Sequence, residues 1–150
     1  MKKNKSSLKQ IVNRRAGYDY FLEDTLIAGL VLTGAETKSL RLGHGQLSGA
    51  YISINNNEAY LINAQVNGTN GIIINEQDQT RSRKLLISKK ELKVLKRAKD
   101  DGKTIVPLAI QTNSKYIKIK IAIAKGKKKY DKRETKKKRD QERELKRLSS

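Results

Sequence analysis

Isoleucine occupies every second position from 117 to 123, with Tyr116, Lys118 and Lys120 interleaved. Side chains of a β-strand point alternately to opposite faces, so this run reads as a strand with one apolar and one basic face. Such a strand needs neighbours, because it is stable in an antiparallel sheet that rests one face on a core and leaves the other wet. Thr104 to Gln111 supplies a partner, and Thr112-Asn-Ser114 reads as the turn between them.

The rest of the chain repeats the theme in shorter pieces. Tyr18-Asp-Tyr-Phe-Leu22, Ile27 to Leu32 and Arg83 to Ile87 are rich in aromatic and branched residues and read as strands. Tyr51 to Ile54 and Glu58 to Ile62 flank Asn55-Asn-Asn57, the turn of a second hairpin. Two capping boxes mark helix starts. Thr33-Gly-Ala-Glu36 opens a short helix that Gly43 stops. Ser88-Lys-Lys-Glu91 opens another, with Leu92, Leu95 and Ala98 on one face and an end before Gly102. Residues 67–79 show no period and read as a loop. Six or so strands and two or three short helices in 150 residues predict a mostly β fold. The expected form is an OB-type antiparallel β-barrel, closed or nearly closed, with a half-open α+β sheet as the rival.

Charge sets the boundaries. The chain carries 34 Lys+Arg against 15 Asp+Glu, a formal +19. Residues 1–15 hold six basic and no acidic residues, and residues 125–150 hold 13 basic and 5 acidic, while the stretch between is nearly ordinary. This divides the chain into a basic N-terminal arm (1–12), a domain (13–129) and a basic C-terminal tail (130–150). A charge so large repels itself in a compact state and persists where a polyanion is the partner. Basic ends read either as solvated tails or as phosphate-seeking arms. Between Thr135 and Ser150 the apolar residues are Leu145 and Leu148, so the tail has no core-facing stripe. It is expected to be disordered when free and helical once phosphates neutralise it.

The inventory narrows the chemistry. Cysteine is absent, which excludes disulfides and thiolate metal sites. The one histidine, His44, sits between two glycines, and no phosphate-cradling loop or magnesium-type carboxylate cluster appears. No apolar run approaches the ~18 residues of a membrane span, and the tail lacks the apolar face of an interfacial helix. The chain reads as a monomeric, cytoplasmic non-enzyme with no membrane, no cofactor and no metal. A ribosomal or ribosome-assembly protein with an OB-like core and basic arms fits this composition.

Particular segments go further. Asn13-Arg-Arg-Ala16 followed by Tyr18-Asp-Tyr-Phe21, then Ala28-Gly29, Leu32-Thr-Gly34, Glu36 and Lys38-Ser-Leu-Arg41, resemble the N-terminal signature of the SsrA-binding protein (SmpB) family. Arg81-Ser-Arg-Lys-Leu-Leu86, Val106-Pro-Leu108, Ala124-Lys-Gly-Lys-Lys128 and Tyr130-Asp-Lys-Arg133 follow in that family's order, so the resemblance spans roughly 13–133. It implies an OB-type barrel that clasps the tRNA-like domain of transfer-messenger RNA (tmRNA). It further implies delivery of that RNA to stalled ribosomes for trans-translation. The tail would enter the small subunit's decoding centre and mRNA channel.

The residues so implied for RNA are Asn13, Arg14, Tyr18, Tyr20, Glu36, Lys38, Arg41, Arg81, Arg83, Lys84, Leu86, Lys118, Lys120, Lys125, Gly126, Lys127 and Lys128. RNA elbows expose unstacked bases, which suit aromatic stacking and sugar–phosphate contacts. Lys125, Lys127 and Lys128 are expected to continue the basic strip of Lys118 and Lys120. Leu86 is a family contact position where the isolated sequence says core, and Glu36 reads both as a helix cap and as an RNA acceptor. For the ribosome the implied residues are Tyr130, Asp131, Lys132, Arg133, Lys136, Lys137, Lys138 and Arg139. Three positions depart from the family: Tyr18 and Tyr130 stand where His is common, and Ile27 where Glu is common.

Overall fold

A computed structural model describes residues 10–149. The expected hairpin is its backbone. Strand β8 (Thr104–Gln111) runs antiparallel to β9 (Lys118–Gly126), with Ile105 opposite Ile123 and Ile110 opposite Ile119. Ile117, Ile119, Ile121 and Ile123 are all buried, as the alternation requires.

The remaining strands extend both edges of this pair. They are β1 (Ile11–Val12), β2 (Tyr20–Leu30), β4 (Tyr51–Asn55), β5 (Glu58–Ile62) and β7 (Arg83–Leu86). The sheet order is β1-β8-β9-β2-β7-β5-β4, and a separate two-stranded ribbon pairs β3 (Gly45–Gln46) with β6 (Gln65–Val66). The sheet curls until β4 approaches β8 across a core of Ile52, Leu61, Leu85, Ile105, Ile119 and Ile121. The mostly β antiparallel architecture is therefore present, but the sheet is open rather than a closed barrel. One reason is visible in the register: the outer edge of β8 is taken by β1, through Ile11 opposite Ile110 and Val12 opposite Ala109.

That pairing also moves the start of the domain. Residues 1–9 of the expected arm lie outside the described residues, and Ile11 belongs to the core. Pro107 has no N–H to give a ladder, and the β8–β9 register shifts between Pro107 and Ala109. Asn13 fills this gap, donating its backbone N–H to the Leu108 carbonyl (2.8 Å) and Nδ2 to the Pro107 carbonyl (2.9 Å).

Both capping boxes form. Helix α2 (Gly34–Arg41) is capped by Thr33 and Glu36, and α3 (Lys89–Asp100) by Ser88 and Glu91. Gly43 and Gly102 follow these helices at φ +86° and +82°, a region that costs an L-residue strain. The β4–β5 turn is two residues, Asn56 and Asn57, both at positive φ, the twist-matched hairpin form.

Residues 18–32 differ from the expectation. Ala16–Asp19 make one helical turn, α1, and the two expected strands are a single strand, β2, with a register shift between Leu22 and Thr25. Local bonds override the β preference of Tyr18. Ala16 is buried, the Arg15 carbonyl accepts from Tyr18 and Asp19, and Arg15 pairs with Asp19 at 3.4 Å. The tail is a helix, α4 (Lys129–Ser149). No helix among the described residues is long and apolar enough to cross a membrane.

Candidate nucleic-acid interface

The aperiodic stretch between β5 and β7 is organised by one ion cluster. Arg83 is wholly buried, and all five of its N–H donors are used. Nε donates to Glu36 Oε2 (2.8 Å), Nη1 to the Ala64 and Arg81 carbonyls (2.9 and 3.1 Å), and Nη2 to the Asp78 and Gln79 carbonyls (both 3.1 Å). Glu36 is 2% exposed. Its Oε1 accepts from the Thr33 amide (2.9 Å) and Arg81 Nη2 (2.5 Å), and its Oε2 also from Arg81 Nε (3.0 Å). Burial pushes the Glu36 carboxyl up, but the Arg81 bond, the Thr33 amide and the Arg83 charge outweigh it and hold the group below its ordinary value.

Two expected RNA ligands are therefore withdrawn from the surface. Arg83 is not a phosphate ligand, because every donor it has is spent on the fold. Glu36 is buried with both oxygens hydrogen-bonded to Thr33, Arg81 and Arg83, and it ties α2 to the 76–83 segment. Arg81 stays one-third exposed beside them. Arg41 is half spent as well, donating to the Thr112 and Lys115 carbonyls (both 2.8 Å) and so tying α2 to the β8–β9 turn. Lys38 is exposed on the same helix, and Asn13 is committed to the β8 bulge.

The outer face of β7, β2 and β9 is a different surface. Register places Lys118 opposite Gly29, Gly29 opposite Leu86, and Lys120 opposite Ile27. Leu86 is 57% exposed and Ile27 50%. Gly29 lacks a side chain where Leu86 lies: a Cβ built there would stand 3.2 Å from Leu86 Cβ. Lys84, further along β7, is exposed and bridges Glu58 at 3.3 Å. Exposed aliphatic groups thus sit between lysines on a wet sheet face. This combination suits apolar packing against bases or sugars with ammonium groups on phosphates. Leu86 is exposed, contrary to the isolated reading of core, and so is Ile27, one of the three positions at which the sequence departs from the family.

The basic strip does not continue as expected. Ala122 and Ala124 are buried, Lys125 has the opposite parity from Lys118 and Lys120 on β9, and Lys127 lies beyond the end of the strand. Lys127 is instead a junction. Its Nζ donates to the Gly17 carbonyl (2.9 Å) and Thr135 Oγ1 (2.7 Å), and lies 4.9 Å from the Phe21 ring centre. Lys125, Gly126 and Lys128 are exposed around it. Tyr20, opposite Gly126, is half-buried, and Tyr18 sits under Arg15, whose guanidinium carbon is 5.0 Å from its ring centre.

In the tail, Asp131 Oδ2 accepts from the Lys128 amide (3.3 Å) and caps α4, and Lys132 lies 3.6 Å from Asp19. Tyr130, at 69% exposure, and Arg133, Lys136, Lys137, Lys138 and Arg139 are presented to solvent. Arg15 and Arg143, which the sequence did not single out, face a cleft shared with Arg14, Lys136 and Arg139. The spacing 136, 139, 143 was the available signal.

The chain is similar to known proteins in sequence and in fold. The family model described as SmpB protein matches residues 10–150. An SsrA-binding protein of Lysinibacillus sphaericus is 46% identical over 136 residues, covering 90% of this chain and 88% of that one. One from Paracoccus denitrificans is 46% identical over 138 residues, covering 91% and 88%. A solved chain from a structure of tmRNA–SmpB at the center of the bacterial ribosome superposes with a TM-score of 0.67. It is 35% identical and covers 84% of this chain and 93% of its own length.

Proposed function

The chain belongs to the SmpB protein family, and from that premise we propose that it binds the tRNA-like domain of tmRNA and delivers the RNA to stalled ribosomes for trans-translation. It is an RNA-binding adaptor. The observation that carries the RNA contact is the outer sheet face, where Leu86 and Ile27 stand exposed among Lys84, Lys118 and Lys120. Lys38, Arg81, Lys125 and Lys128, off that face, supply further ammonium and guanidinium groups for phosphates.

The tail serves the second partner. From Tyr130 onward, α4 carries cations on all sides and no apolar stripe, which fits a path lined by ribosomal RNA better than a protein groove. The tail enters the decoding centre and mRNA channel, with Tyr130 as a stacking ring, and loses its helix when free and unneutralised. The protein works as a cytoplasmic monomer and supplies no catalytic group, so its contribution is recognition and placement.

Binding to an isolated tRNA-like-domain transcript, compared with plain duplex RNA at matched salt, tests the first half. Selective binding is expected, and equal affinity would favour a general ribosomal or assembly protein. Truncation after Lys129 tests the second: tmRNA binding survives and rescue of stalled ribosomes is lost. Rescue by the truncated protein would disprove the tail's role.

A further inference from the structure

Helix α4 is tethered at its root. Lys127 bonds Gly17 and Thr135, and Lys132 approaches Asp19. Beyond that root Lys136, Arg139, Asp140 and Arg143, at i, i+3, i+4 and i+7, share one helix face. With Arg14, Arg15 and Tyr18 they line a cleft of about 330 Å³ between α1 and α4. A helix face packed against its own domain is ordinarily apolar, but here three tail cations meet two domain cations, with Asp140 as the anion of the lining. Arg15 is partly steadied by Asp19 and the Tyr18 ring. The charge in the cleft is left far from balanced, and such a groove concentrates polyanions.

We infer that this cleft binds RNA backbone phosphate, and that an occupied cleft clamps α4 against α1. Four of the five cations are arginines, whose planar forks take phosphate oxygens in pairs. A phosphate between the two arginine sets turns their mutual repulsion into two attractions, so tail direction and RNA occupancy become one equilibrium. The absence of an apolar face on α4 argues for a nucleic acid rather than a lipid surface. The choice of RNA rests on the adaptor reading, whereas the clamp itself is tested apart from it.

The full chain has no cysteine, so Lys93→Cys and Leu145→Cys give a specific fluorophore pair across α3 and α4. Titration with a 12-nucleotide oligouridine at constant ionic strength should bring the pair to one fixed transfer efficiency. Arg15→Glu with Arg143→Glu should abolish that change and weaken oligouridine binding by roughly tenfold, with the slope against log salt falling by about one to two. The same charge change at Lys146→Glu with Arg147→Glu should weaken binding by less than about threefold and keep the change in transfer. Equal weakening by both pairs, or a tail distance unmoved by RNA, would overturn the clamp. The neutral pair Arg15→Gln with Arg143→Gln must fall on the same side as the reversed pair, or the clamp fails. Selectivity for the tRNA-like domain is measured in parallel, and its loss counts against the adaptor reading alone.

Discussion

Glu36→Gln separates three roles that this cap glutamate can play. Gln serves a capping box nearly as well as Glu, so if Glu36 only caps α2 the substitution costs well under ~1 kcal/mol. The cluster predicts more. Four N–H donors converge on the two carboxylate oxygens, from Thr33, from Arg81 twice, and from Arg83. A carboxamide turns its NH₂ against some of these donors and leaves the fully buried Arg83 without a counter-ion. Removing one partner of a buried pair costs about 3–5 kcal/mol, a large part of the ~5–15 kcal/mol that holds a domain together. At about 2–4 °C per kcal/mol for a chain of this size, the melting temperature should fall by roughly 6–20 °C.

Urea unfolding followed by circular dichroism or tyrosine fluorescence reads this directly, since the chain has six tyrosines and no tryptophan. The pH dependence adds a sign. The Glu36 carboxyl is held below its ordinary value of 4.5, so its contribution is complete above that value and is lost as pH falls through the lower folded one. The stability gap between wild type and variant should be flat near neutrality and close in acid. Loss of less than ~1 kcal/mol would refute the buried-pair account. Unchanged stability with weakened RNA binding would mean that the carboxylate touches RNA after all.

Three further outcomes follow from the same coordinates. Gly45→Ala places a Cβ 2.7 Å from Leu40 Cδ2 and 3.0 Å from Ile11 Cδ1, so thermal unfolding should show an overpacking loss of about 1–3 kcal/mol; an unaltered melt would mean β1 and α2 yield freely. Arg41→Ala removes the two bonds to the Thr112 and Lys115 carbonyls and should speed hydrogen exchange across 112–117, with about 1–3 kcal/mol of local protection lost. Lys118→Ala with Lys120→Ala should lower the salt slope of tRNA-like-domain binding by about two while leaving the melt unmoved; an unchanged slope would reduce both lysines to solvent contacts.

Elements with a strong local signal were legible from the chain alone. The Ile117–Ile123 alternation fixes a strand and its buried face, because period two has one geometric meaning. The capping boxes at Thr33 and Ser88, with Gly43 and Gly102 behind them, fix both middle helices through bonds made within a few residues. The charge asymmetry and the family motifs fix the class of partner. Residues whose role depends on distant chain were not legible. Arg83 looks like a surface cation in an Arg-rich segment, yet Ala64, Asp78, Gln79, Arg81 and Glu36 together form a buried socket that matches all five of its donors. Leu86 looks like core and is exposed, since only the pairing with Gly29 decides which face of β7 meets water.

Whether the sheet closes was also a tertiary decision, made where Ile11–Val12 take the edge of β8. The same holds for the basic tail. Sequence gives its charge and its helical spacing, but the facing of Arg139 and Arg143 toward Arg14 and Arg15 exists only once Lys127 pins the helix root to Gly17. Local chemistry therefore set the elements and the kind of partner, and long-range packing chose which charges are structural and which remain to meet RNA.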